Sequence, residues 1–198
     1  MQDKKDFYIT ENGICNENDI ETISRLLEKA HEEWKWAGKE EIKAWLLSGR
    51  ALIYKDTAAV LCGEQSGKIY TAMRPILKRI NSAAESFILV CGEYTGFNKA
   101  VNGIKEKLCK NTIPPLILPV KPCPPLEAFL KNGFQLSLIA PLYRLRPFYI
   151  LTLSNAEETM YNIKEILPKS DTYTVSRLLE NGYKGIAEQE NARLIMAR

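Results

Sequence analysis

The sequence predicts a mixed α/β domain, and three observations predict it. Apolar residues recur at helical spacing through Ile20, Ile23, Leu26, Leu27, Ala30, Trp34 and Ala37. From Ala51 onward the period becomes strand-like. The unbroken apolar run Phe87-Ile88-Leu89-Val90-Cys91 has the length of a strand buried on both faces. The chain has 198 residues, enough for one substantial domain or one domain with an appendage.

The elements follow in order. Phe7 to Thr10 alternates weakly and reads as a first strand, closed by a turn at Asn12-Gly13. Asp19 is the N-cap candidate for the first helix, and Gly38 stops it. A second helix runs from Glu40 to Leu47 and ends at Ser48-Gly49. Trp34, Trp36 and Trp45 fall in this helical pair and read as packing residues. Ala51 to Tyr54 and Ala58 to Cys62 are strands joined through Lys55-Asp56-Thr57. Lys68 to Met73 and Ile76 to Ile80, separated by Pro75, read as an interrupted edge strand or a bulged one.

After the buried strand comes Gly92-Glu93-Tyr94-Thr95-Gly96, then a helix with Phe97, Ala100, Val101, Ile104 and Leu108 on one face. Ile113 to Val120 is a proline-rich strand, and Pro124 to Lys131 a short helix closed by Asn132-Gly133. Phe134 to Leu145 and Phe148 to Leu153 complete a domain of residues 1–153.

Charge and cysteine usage narrow the function classes. With 27 basic and 24 acidic side chains the net charge is +3, too mild to propose a nucleic-acid partner. The balance is uneven: residues 1–50 carry 8 basic and 11 acidic groups, residues 68–110 carry 8 and 3. An anionic ligand is therefore drawn to the middle of the chain. No apolar run is long enough to cross a bilayer, and no secretory signal opens the chain. Five cysteines without a CxxC pair, beside the lone His31, argue against a zinc centre and fit free thiols in a reducing cytoplasm. A cytoplasmic protein without a metal is expected.

The strongest local feature is strand, glycine-bearing loop and helix at residues 87–109. A helix start offers unpaired N–H groups and the positive end of its dipole, and glycine lets a phosphate approach the main chain. Together with the order of elements, the stretch Val90-Cys91-Gly92-Glu93-Tyr94-Thr95-Gly96-Phe97-Asn98-Lys99-Ala100 resembles the acyl-CoA pyrophosphate loop of the GNAT (GCN-related N-acetyltransferase) superfamily. Pro125 to Phe134, with its Lys131-Asn132-Gly133-Phe134 ending, is similar to that family's late helix.

The resemblance implies a GNAT-like fold in which acetyl-CoA or another acyl-CoA is the cosubstrate. It implies that Val90, Gly92, Thr95, Gly96, Phe97, Asn98 and Lys99 hold it. Either Glu93 or Thr95 stands where the family has Gln or Arg. The expected activity is N-acyl transfer to a small-molecule or peptide amine. Glu85 is the candidate base, acting directly or through water. Where many members have Phe-Tyr in the late helix, this chain has Phe129-Leu130, so the proton donor falls to another tyrosine. Tyr143 is the leading candidate, with Tyr94 and Tyr149 beside it. A non-catalytic descendant that binds a ligand or a partner is the alternative, and an unrelated α/β protein the third reading.

Residues 154–198 form a C-terminal α/β extension beyond what that fold needs. Asn155 to Ile166 reads as a helix stopped by Pro168, and Thr174 to Glu180 as another ending at Asn181-Gly182. The stretch from Leu178 to Tyr183 matches that from Phe129 to Phe134, although Asn-Gly helix endings arise readily by chance. Either the later copy is the genuine end of the catalytic fold, or the tail is a degenerate partial repeat packed on the core, or it docks on the core or on the second subunit of a homodimer.

Overall fold

A computed structural model of the chain describes residues 8–9, 15–30, 38–54, 58–64, 68–80, 86–92, 114–119, 126–140, 147–153, 161 and 163–198. The described strands form one ten-stranded mixed sheet. They are β1 (Tyr8–Ile9), β2 (Ala51–Tyr54), β3 (Ala58–Glu64), β4 (Ser86–Gly92), β5 (Leu116–Pro119), β6 (Phe134–Ala140), β7 (Phe148–Leu153), β8 (Lys164–Pro168), β9 (Lys184–Gln189) and β10 (Arg193–Ala197). Their order across the sheet is β1-β2-β3-β4-β5-β7-β6-β9-β10-β8. The described helices are α1 (Glu17–Ala30), α2 (Lys39–Leu47), α3 (Lys68–Arg79), α4 (Leu126–Leu130) and α5 (Thr172–Glu180).

Strand β4 explains the layering. Its side chains alternate between two cores, as pleating requires of a strand covered on both faces. Phe87, Leu89 and Cys91 join the apolar sides of α1, α2 and α3, among them Ile23, Leu27, Ile42, Leu46 and Met73. Ile88 and Val90 join the opposite core, which holds Leu126 and Phe129 of α4 and Val175 and Leu179 of α5. Trp45 is 5% exposed and belongs to the first core, the packing role expected of it. Trp34 and Trp36 lie outside the described residues.

Helix α1 begins two residues before the anticipated cap. Asn16 accepts the backbone N–H of Asn18 on its Oδ1 at 3.1 Å, so Asp19 sits inside the first turn, where its charge complements the helix dipole. Gly38 caps the start of α2 in extended conformation; residues 31–37, which join α1 to it, lie outside the described residues.

Residues 68–79 correct the sequence reading: they are helix α3, with Pro75 inside it, and not an interrupted strand. The helical signal lies in Met73, Ile76, Leu77 and Ile80, spaced i, i+3, i+4 and i+7, which all reach the first core. Pro75 costs one intrahelical hydrogen bond and is tolerated on the exposed side. Asn155 to Ile166 also departs from expectation where it is described. Lys164 onward is strand β8, paired antiparallel with β10 from Lys164↔Ala197 to Pro168↔Arg193. At the sheet's outer edge β8 buries little, so no strand-like alternation marks it in the sequence.

The C-terminal segment is thus continuous with the main sheet, through β9 beside β6. Helix α5 is capped by Asp171, whose Oδ1 accepts the Thr174 N–H at 3.0 Å. Hydrogen bonds from the side chain and the backbone N–H of Thr174 hold the Asp171 carboxyl below the usual carboxylate range. A folded-state pKa lower than the unfolded one means that the cap contributes fully above the unfolded value. Its contribution is lost as pH falls through the folded one. Protection of the α5 first-turn amides, corrected for intrinsic exchange, is therefore expected to be flat above about pH 5 and to fall below about pH 4. Asp171→Asn should abolish that fall, and an unchanged pH profile in the variant would contradict the assignment.

Candidate functional site

The site begins with a break in pairing at the middle of the sheet. Among the described strands, β4 and β5 are the one parallel pair; every other ladder is antiparallel. The β4–β5 ladder holds only Ile88↔Leu116 and Leu89↔Ile117, with the Ile88 N–H also bonded to the Pro115 carbonyl at 2.9 Å. Both strands run on past it, β4 to Gly92 and β5 to Pro119.

The continuations stay anchored on their outer sides. Val90, Cys91 and Gly92 pair with Val60, Ala59 and Ala58 of β3, while Leu118 and Pro119 pair with Tyr149 and Phe148 of β7. The ladder stops where Pro119 stands, since a proline has no N–H to carry it further.

Gly92 closes β4 with φ of +97°, a conformation that only glycine adopts without strain. Val90 is fully buried two residues earlier, on the face it shares with α4. Of the residues expected to hold the cosubstrate, these two are described, and both lie at the C-terminal end of β4. Thr95, Gly96, Phe97, Asn98 and Lys99 lie outside the described residues, as do Glu85 and Tyr143.

Other side chains settle their roles by burial. Cys91 is fully buried and burial pushes its thiol pKa up, the reverse of what a nucleophilic thiolate needs. Leu130 is 6% exposed and has no proton to give. Tyr149, 2% exposed, pairs with Leu118 beyond the end of the β4–β5 ladder and shares the face of Val90 and α4. Of the three candidate tyrosines it is the described one. Leu118 and Pro119 were not singled out from sequence; a proline-rich strand end was their one visible signal. Among the described residues no group of three or more His, Cys, Asp or Glu is placed to hold a metal ion.

No protein-family model matches the chain, and neither a curated protein nor a solved structure matches it.

Proposed function

We propose that this protein is an acyl-CoA-dependent N-acyltransferase of GNAT-like fold that transfers an acyl group, acetyl in the simplest case, to an amine. One observation carries the reading: the single parallel ladder stops after Leu89↔Ile117 while both strands continue. The resemblance implies a pantetheine arm lying between two such strands, its amides pairing with strand edges. The order β1-β2-β3-β4-β5-β7-β6 also supports the reading. So does the positive φ of Gly92, the first glycine of the stretch 92–99 assigned to the CoA diphosphate.

In this mechanism the amine nitrogen attacks the thioester carbonyl in a ternary complex, and collapse breaks the C–S bond. The amine's proton passes to a general base, for which Glu85 is the candidate, directly or through water. The thiolate of CoA takes its proton from a tyrosine, Tyr143 or Tyr149. The alternative, a catalytically inactive GNAT-like module that binds a ligand or partner, draws on one observation: Leu130 occupies the helix position where the family carries its tyrosine.

A thermal-shift titration tests the binding step. Acetyl-CoA at ~100 times its dissociation constant should add about 2.7 kcal/mol, a rise in Tm of roughly 5–10 °C for a chain of this size. No shift at millimolar acetyl-CoA and CoA would sink the proposal. With binding seen, turnover on an amine panel separates enzyme from binding module. Glu85→Gln, Tyr143→Phe and Tyr149→Phe assign the proton carriers, and a variant with unchanged turnover loses its role.

A further inference from the structure

Two parts of the sheet have the same plan. In the first, β5, α4, β6 and β7 follow one another and the strands lie in the order β5-β7-β6. In the second, β8, α5, β9 and β10 follow one another and lie as β8-β10-β9. Strand, helix and antiparallel hairpin recur, with the last strand between the other two.

The correspondence holds residue by residue. Ile117-Leu118-Pro119 ends β5 and Ile166-Leu167-Pro168 ends β8, 49 positions later; the same offset relates Asn132-Gly133 to Asn181-Gly182. At both helix ends the asparagine Nδ2 donates to the carbonyl four residues back, Ala128 at 2.6 Å and Arg177 at 2.8 Å. The glycines that follow have φ of +84° and +86°. Leu126 matches Val175, both fully buried, and Leu130 matches Leu179, at 6% and 5% exposed.

The strongest correspondence is an irregularity. In the first hairpin the register skips Ser137, between Leu136↔Leu151 and Leu138↔Ile150. In the second it skips Ile186, between Gly185↔Met196 and Ala187↔Ile195. Ser137 and Ile186 are again 49 apart. Helix endings recur by chance, but a bulge at the same position of two hairpins is a specific feature of a backbone.

The two units meet as the halves of a symmetric dimer do. β6 pairs antiparallel with β9 at Leu136↔Gly185, positions that are themselves equivalent. Equivalent residues facing each other mark a local two-fold axis. The helices obey it as well: α4 packs on β9 as well as on β6, and α5 on β6 as well as on β9. Symmetry is broken at the axis itself. A Cβ on Gly185 would lie 2.9 Å from the Leu136 Cβ, so leucine on one side requires glycine on the other.

We infer that residues 164–197 are an internal copy of the unit formed by residues 116–153, and that the copy takes in cis the place of a second subunit against β6. The partner that this surface fits is the chain's own duplicate, and the full chain is a monomer. Only the first unit has β4 beside it; β8, the counterpart of β5, ends the sheet.

The full chain tests this through an exchange across the axis. Leu136→Gly and Gly185→Leu are each expected to lower Tm by on the order of 10 °C, one by a cavity and one by overpacking. Because the positions are equivalent, the double variant L136G/G185L should recover more than half of the summed loss. Losses that simply add would overturn the two-fold relation. Sedimentation of the unaltered chain needs no variant to fold. A mass of 22.5 kDa across the micromolar to millimolar range is expected. A dimer whose formation slows amide exchange in β6 or β9 would overturn the inference.

Discussion

Replacing Phe129 by alanine is expected to destabilise this protein by about 3–5 kcal/mol, a fall in Tm of on the order of 10 °C for a chain of this length. Phe129 is fully buried. Its ring meets Phe134 edge-on, with centroids 6.3 Å apart and planes at 80°, an arrangement that adds to simple burial. Helix α4 is only five residues long and cannot persist on intrinsic propensity. Its place on the sheet rests on Leu126, Ala128, Phe129 and Leu130, all buried. Phe129→Ala removes the largest of the four, so loss of α4 compounds the cavity. Chemical denaturation checks it; a midpoint within experimental error of the parent would show that α4 contributes little. Phe129→Leu should cost markedly less, because most of the volume is kept.

The second large effect lies at the other side of the sheet. Gly63→Ala should cost about 2–3 kcal/mol, the upper part of the range for overpacked cores. Gly63 pairs directly with Phe87 across β3 and β4. A Cβ there would sit 2.3 Å from the ring Cζ and under 3 Å from both Cε atoms, 2.7 and 2.8 Å away. The ring cannot swing aside, since Phe87 is fully buried among α1–α3. Phe87→Leu deletes the three atoms that clash. The double variant is therefore expected to fall short of the summed losses by about 1 kcal/mol or more. Additive losses in urea denaturation would show that the clash is relieved by backbone movement instead.

What the sequence disclosed depended on how locally each feature is encoded. β4 was readable because both its faces are buried, which writes an unbroken apolar run into residues 87–91. Helix α3 was misread because Pro75 outweighed the spacing of Met73, Ile76, Leu77 and Ile80; proline on an exposed helix side leaves that spacing intact. β8 was misread for the opposite reason. An edge strand with Lys164 and Glu165 exposed has few buried positions to set a period.

The site divides in the same way. Gly92 was visible as a glycine ending a buried strand. The β4–β5 pairing was not, because it joins residues far apart in sequence. The likeness of residues 129–134 to 178–183 was likewise visible, but only pairing reveals that Ser137 and Ile186 bulge alike.

The seam between β6 and β9 has a consequence for synthesis. Leu136 leaves the ribosome 49 residues before Gly185, its neighbour across the seam. At 5–20 residues per second that interval is roughly 2–10 s. Throughout it the nascent β6 has one hydrogen-bonding edge unmet and part of its apolar face without α5. A stalled or truncated chain therefore presents a template for strand addition that the finished protein never shows.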